Sequence, residues 1–124
     1  MVTSVAKITP RIFNMTGQIV VFSTCASAED AARIARHLVD ARVAACVTIL
    51  PGARSVYRWE GRIEDTAEHV LLIKSSRAVF PALRAAIERV HPYQVPEIIA
   101  LPVVDGAANY LAWLAAETSA ETSA

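Results

Sequence analysis

Three side chains at separate points of the sequence could bind a metal ion together: His91, Glu97 and Cys25. Soft and borderline ions prefer nitrogen and sulfur ligands, with carboxylates in support. His91 follows a predicted helix and Glu97 opens a predicted strand, so the proline-rich loop between them could bring the two together. The alternative for His91 is a structural role at the helix end. The sequence contains no C-x₂-C and no H-x₃-H spacing, which argues against a preformed structural zinc site.

The charged and aromatic residues near the middle of the chain suggest contacts between subunits rather than catalysis. Tyr57 and Trp59 are two residues apart in a predicted strand and therefore share one face. We interpret this pair as packing against a neighbouring subunit, with stacking on a ligand as the alternative. The charged residues just beyond it are interpreted as a polar rim rather than an acid/base pair; they are Glu60, Arg62, Glu64 and Asp65. Cys46, between apolar neighbours, is predicted to lie in the core.

Composition narrows the class of protein further. Twelve basic and twelve acidic residues cancel in a chain of 124 residues, which disfavours a nucleic-acid-binding protein. No apolar stretch reaches the roughly 18 residues of a membrane-spanning helix, so we expect a cytoplasmic protein without a membrane partner. Two cysteines are too few for a disulfide framework. The mean hydropathy of +0.37 is high for a small soluble monomer and predicts self-association.

The order of apolar patterns predicts an α+β fold. A buried strand over 18–24 precedes a helix capped by Ser27, and a second strand over 43–50 ends at Pro51-Gly52. Extended chain over 56–59, a tight Glu60-Gly61 turn and a long strand over 62–75 form a hairpin. A second helix, with Pro81 in its first turn, ends at Pro92 and leads to a strand over 97–103 and a short closing helix.

This βαββαβ order, followed by a helix, is typical of a ferredoxin-like sandwich with both helices on one face of an antiparallel sheet. The other face of the sheet is left bare, which again favours self-association. We expect the domain to span residues 17–117, after an irregular leader over 1–16. The repeated Glu-Thr-Ser-Ala segment predicts a disordered tail over 118–124.

Several short segments, at their separations along the chain, carry a family resemblance. They are Ala44-Ala45-Cys46-Val47, Tyr57-Arg58-Trp59-Glu60-Gly61, Leu72-Ile73-Lys74, His91-Pro92-Tyr93-Gln94-Val95-Pro96-Glu97-Ile98-Ile99 and Tyr110-Leu111-Ala112-Trp113. Together they resemble the CutA family of divalent-ion tolerance proteins over about residues 18–116. Gln94 stands where many members have a glutamate, which removes one potential carboxylate ligand. A family cysteine tied to copper binding corresponds in register to Ser23, two residues before Cys25.

The resemblance implies a PII-like homotrimer in which long hairpins extend the sheets of neighbouring subunits. It implies a cytoplasmic protein linked to tolerance of divalent cations, copper above all, with no required cofactor and no established reaction. On this basis we expect divalent metal binding at His91, Glu97 and Cys25. We expect the trimer interface to contain four aromatic residues: Tyr57, Trp59, Tyr93 and Trp113.

Other functions of the same sandwich fit the sequence less well. An acylphosphatase-type enzyme needs an anion-binding loop with an arginine after the first strand, and residues 24–27 contain neither glycine nor arginine. A metal chaperone of this class needs a Met-x-Cys-x-x-Cys loop, which is absent. A PII-like nucleotide sensor has a long loop where this chain has the Glu60-Gly61 turn. A PII-like trimeric signalling or anchoring scaffold, which binds a small ligand or partner protein between subunits, stays open as the alternative.

Overall fold

The computed structural model describes residues 16–119. Four strands and three α-helices follow one another in the predicted order: β1 (Gln18–Cys25), α1 (Ala28–Asp40), β2 (Cys46–Trp59), β3 (Arg62–Ser76), α2 (Phe80–Val90), β4 (Ile99–Pro102) and α3 (Ala108–Glu117). The strands form one sheet in the order β2-β3-β1-β4, and every pair is antiparallel. This is the ferredoxin-like α+β sandwich that the sequence predicts. Within residues 16–119, no helix is long and apolar enough to cross a membrane.

The helices α1 and α2 cover one face of the sheet because their apolar stripes meet the alternate side chains of the central strands. Ile19 and Val21 of β1, with Leu71 and Ile73 of β3, form one buried cluster with residues of both helices. The Ser27 side chain accepts a hydrogen bond from the Asp30 backbone N–H at 3.0 Å and caps α1, as predicted.

The second strand is longer than predicted because the Pro51-Gly52 interruption is a β-bulge. Leu50 pairs with Val70 and Ala53 pairs with Glu68, so two residues of β2 stand opposite one residue of β3. Proline is tolerated at such a bulge because its nitrogen does not need a partner there. The strand then continues to the hairpin turn, where Glu60 and Gly61 both have positive φ, as a two-residue type I′ turn requires.

The two prolines of the second helical region act as predicted. Pro81 lies in the first turn of α2, where an amide hydrogen would have no partner, and the helix ends just before His91 and Pro92. The last strand is shorter than the predicted 97–103, since only Ile99–Pro102 pairs with β1. It is an edge strand, as Pro102 indicates.

Hydrogen bonds at both ends of the described chain continue beyond the regular secondary structure. The Thr16 hydroxyl donates to the Val103 carbonyl, and the Ser119 backbone N–H donates to the Arg42 carbonyl at 3.1 Å. Thr118 is buried and its hydroxyl contacts that of Ser76 at 2.5 Å. The fold therefore includes Thr118 and Ser119, which lie past the predicted boundary at 117. The remainder of the predicted leader and tail, 1–15 and 120–124, lies outside the described residues.

The face of the sheet opposite α1 and α2, here called the open face, is largely apolar, and within residues 16–119 its side chains on β2 and β4 remain exposed. Register places Leu101 opposite Val20 and Ile99 opposite Phe22, on the side away from the buried cluster. Ile99 is 53% exposed and Leu101 is 48% exposed. The same face continues across β3 and β2 through Val70, Leu72 and Leu50.

Candidate functional site

A cleft of about 660 Å³ lies where the end of β1, the β2–β3 hairpin and the loop after α2 meet. Its volume is within the range of sites for small organic ligands. The hairpin contributes aromatic and apolar side chains, and the loop contributes Tyr93 and Glu97. The full lining is Thr24, Ser55, Val56, Tyr57, Trp59, Glu68, Tyr93, Gln94, Val95 and Glu97.

Glu68 is a buried carboxylate in the lining of this cleft. Its side chain lies on β3 beside the bulge, and the residue is only 5% exposed. The Tyr93 hydroxyl donates to Glu68 Oε2 at 2.5 Å. Burial, together with this hydrogen bond to Glu68, raises the pKa of Tyr93 well above its usual value. The phenol therefore stays protonated near neutral pH and keeps donating to the carboxylate.

His91 fixes the loop that carries Tyr93 and Glu97. Its Nε2 lies 2.7 Å from the Thr24 carbonyl, and its Nδ1 accepts a hydrogen bond from the Tyr93 backbone N–H at 3.0 Å. Since a carbonyl only accepts and an amide only donates, this geometry requires the tautomer with hydrogen on Nε2. The His91 ring also packs on the Tyr93 ring, with centroids 4.7 Å apart. Both ring nitrogens thus hold the loop against β1.

The predicted metal ligands His91, Glu97 and Cys25 do not form a ready ligand set within one chain. Both His91 nitrogens are occupied, and Cys25 is fully buried with its thiol near the Ser27 carbonyl, at 3.8 Å. Burial raises the pKa of the Cys25 thiol, which disfavours the thiolate that a metal needs. Glu97 lines the cleft. Residues 16–119 contain no group of three or more potential ligands, so metal binding here stays a prediction.

The four aromatic residues predicted at a trimer interface occupy two regions. Tyr57 and Trp59 share the face of the hairpin that lines the cleft, with Tyr93 across from them, and Trp59 is 40% exposed. Trp113 lies on α3, where its ring packs on that of Tyr110 with centroids 5.6 Å apart, and it is also exposed. The exposed rings are available for contacts with another molecule.

Two other sequence interpretations have different outcomes. Asp65 of the hairpin accepts two hydrogen bonds from Arg54, at 2.6 and 3.2 Å, as expected of a solvated polar rim. The prediction that Cys46 lies in the core is wrong for the single chain. Its register opposite Lys74 places it on the open face, where it is only partly buried.

Sequence reasoning missed Glu68. A signal for it exists in the alternation of β3: Glu68 falls on the same side as Val70 and Leu72, so a carboxylate replaces an apolar residue in that series. Glu68 is covered by Tyr93, which lies in the loop after α2 and donates a hydrogen bond to the carboxylate. That contact could not be read from local pattern.

The sequence and the fold of this chain are both similar to those of known proteins. Residues 19–117 match the family model described as CutA1 divalent ion tolerance protein. "Divalent-cation tolerance protein CutA" of Thermus thermophilus is 46% identical over 99 residues, which cover 80% of this chain and 96% of the relative. The protein with the same description from Pectobacterium atrosepticum is 47% identical over 92 residues, or 73% of this chain and 84% of the relative. The crystal structure of CutA from Xylella fastidiosa superposes with a TM-score of 0.81 at 45% identity, covering 83% and 99% of the two chains.

Proposed function

We propose that this chain, which belongs to the CutA1 family of divalent ion tolerance proteins, is a homotrimer that binds copper or another divalent metal ion and catalyses no reaction. The observation that carries the proposal is the apolar open face of the sheet, whose side chains Leu50, Ile99 and Leu101 stay exposed within the described residues 16–119. A cytoplasmic location, without nucleic-acid or membrane partners, is part of the same proposal and rests on the sequence.

The open face supports assembly because water would otherwise meet its apolar side chains, which are exposed on the edge strands β2 and β4 and half-buried on the central strands. Ile99 and Leu101 on β4 continue into Leu50 on β2 through the central strands, so the exposed residues form one patch rather than scattered points. Continuous apolar patches of this kind mark interaction surfaces in soluble proteins. In the proposed trimer, the open faces of three copies pack together.

The hairpin supports the same assembly through its unpaired edges. β1 pairs with β3 only as far as His69, whereas β2 and β3 continue together to Trp59 and Arg62. Beyond that point, within the described chain, the hairpin is a two-stranded ribbon with both outer edges open. Open edges accept a further strand from another chain. We therefore propose that each hairpin extends the sheet of a neighbour and buries Tyr57 and Trp59 against it.

In this proposal the metal ligands are His91, Glu97 and Cys25. The proposal of metal binding is supported by the description of the relatives as divalent-cation tolerance proteins. Because both His91 nitrogens are occupied, binding would have to displace the hydrogen bond to Tyr93 or to Thr24. A neighbouring subunit could supply further ligands.

Calorimetric titration of Cu(II) tests the metal site. We expect His91→Ala to lose most of the binding and Glu97→Gln to weaken it, whereas His37→Ala, which removes an exposed imidazole on α1, should bind as the unmodified protein does. Equal Cu(II) binding by His91→Ala and the unmodified protein would show that His91 is not a ligand.

A PII-like signalling or anchoring scaffold is the alternative, and the cleft favours it. A cavity of about 660 Å³ is far larger than a metal ion needs, and its hairpin wall lies at the proposed subunit boundary. A small ligand or a segment of a partner protein could bind there. Under this alternative, Cu(II) would bind no better to this protein than to one of similar charge.

A further inference from the structure

We propose that the cleft between the hairpin and the loop after α2 binds a small organic cation, whose ammonium group is held by the Glu68 carboxylate. This inference goes beyond metal binding. Its hairpin wall, Tyr57 and Trp59, lies at the proposed subunit boundary, so in the trimer the ligand would bind beside a neighbouring copy.

The first argument is the incomplete hydrogen bonding of a buried carboxylate. Glu68 is 5% exposed and lines the cleft, yet its hydrogen bonds within residues 16–119 consist of the one that Oε2 accepts from Tyr93. It takes part in no ion pair with the described lysines, arginines or histidines. Oε1 accepts no hydrogen bond from the described residues and is not sealed from solvent, so it stays open toward the cleft. Oε1 is therefore left for a donor that enters from the cleft.

The second argument is the charge of the lining. Two lining residues carry charge, Glu68 and Glu97, and both are acidic. Arg62 lies on the same face at the hairpin end, opposite Trp59, but it is not part of the lining. A concave site with a single sign of charge concentrates ligands of the opposite sign. The cleft therefore selects against anions such as phosphates.

The third argument is the set of aromatic side chains that line the cleft together with the carboxylates. Tyr57 and Trp59 both line the cleft on one face of the hairpin, and Tyr93 lines the facing side. Aromatic rings attract organic cations through their π faces, and they also pack against an apolar ligand body. An alkylammonium group can donate hydrogen bonds to a carboxylate while aromatic rings contact its charge and its apolar body.

A metal ion fits this cleft less well than an organic cation does. The lining contains no histidine and no cysteine, which soft and borderline metals prefer. The cavity volume of about 660 Å³ leaves space for an organic body, which an ion alone would not fill. The aromatic and apolar wall matches a ligand that carries such a body.

Calorimetry with three probes of similar size tests the proposal on the unmodified protein. The probes are 2-phenylethylammonium, its neutral counterpart 2-phenylethanol and the anion 3-phenylpropanoate. We expect the ammonium probe to bind at least about tenfold more tightly than the alcohol, because a charge-assisted hydrogen bond contributes more than a neutral one. The anion should show no binding. Equal affinity for the ammonium and the alcohol, or no binding of the ammonium, would overturn the proposal.

Isosteric variants locate the binding group. Glu68→Gln preserves the shape and an acceptor for Tyr93 but removes the charge, and it should weaken binding of the ammonium probe at least about tenfold. Glu97→Gln should weaken it less. Glu29→Gln, which removes an exposed carboxylate on α1, is the matched control and should leave the dissociation constant unchanged. Unaltered binding by Glu68→Gln would place the ligand elsewhere and contradict the proposal.

The comparison on the unmodified protein remains decisive if Glu68→Gln does not fold. Light scattering and Cu(II) titration on the same samples separate this inference from the proposed function. A trimer that binds Cu(II) but not the ammonium probe would overturn the inference alone. A monomer that binds the probe would overturn the assembly alone.

Discussion

Replacing Leu101 with arginine tests whether the open face is an interface between copies. Leu101 lies on β4 opposite Val20 and is 48% exposed in the single chain. If neighbouring copies cover it, the variant loses the burial of about half a leucine side chain, about 1 kcal/mol. It must also place a guanidinium in an apolar interface, at a cost of several kcal/mol. Since a trimer carries the change three times, the combined penalty is on the order of 10 kcal/mol.

Size-exclusion chromatography with light scattering at micromolar concentration measures the effect, and circular dichroism reports whether the chain stays folded. We expect Leu101→Arg to shift the protein from trimer to monomer. Val39→Arg is the matched control: Val39 is 40% exposed on α1, and an arginine there should change stability by less than about 0.5 kcal/mol. A Leu101→Arg protein that stays as fully trimeric as the Val39→Arg control would refute the assignment of the open face as an interface.

Three further predictions concern the hairpin and the cleft. Trp59→Ala should weaken assembly and lower the melting temperature, since removing the buried part of a tryptophan costs about 3 kcal/mol or more; scanning calorimetry measures this, and an unchanged melting temperature would show that the ring stays exposed in solution. Tyr93→Phe should lower the free energy of unfolding by about 1–3 kcal/mol at pH 7 by leaving Glu68 without its donor. Because the pKa of Tyr93 is raised in the folded state, its contribution to stability is complete below pH about 10 and is lost as the pH rises further. The free energy of unfolding, measured by urea denaturation, should therefore fall less steeply above pH about 10 for Tyr93→Phe than for the unmodified protein. Cys25 should react with a thiol reagent only on unfolding, whereas Cys46 on the open face should be protected in the trimer and react in the monomeric Leu101→Arg variant; mass spectrometry after brief alkylation distinguishes these outcomes.

The fold could be predicted because its signals are local. The helix at Ser27 begins with a side-chain cap, and the hairpin turns at Glu60-Gly61, the one place in the described part of the chain where two successive residues have positive φ. Proline is also a local signal: Pro81 is tolerated only near the start of a helix, so it indicates where α2 begins. The same signal misled at Pro51, because a proline between two extended segments indicates a break, whereas here the strand continues through a bulge.

The cleft could not be predicted because it depends on contacts between distant parts of the chain. Residue types suggested His91 as a ligand, but only the structure shows that Thr24 and the Tyr93 backbone occupy its two nitrogens. In the sequence, Glu68 is one of several carboxylates in the hairpin region, and its residue type does not distinguish it from the others. Its burial under Tyr93, 25 residues further along the chain, gives it a role that no local pattern indicates.

The mass of the unmodified protein in solution tests the proposed assembly most directly. Light scattering on a dilution series through the low micromolar range should give about 40 kDa, three times the 13.4 kDa of the chain, at every concentration. A mass near 13.4 kDa, with the open face exposed to water, would contradict the trimer and the burial of the hairpin that follows from it.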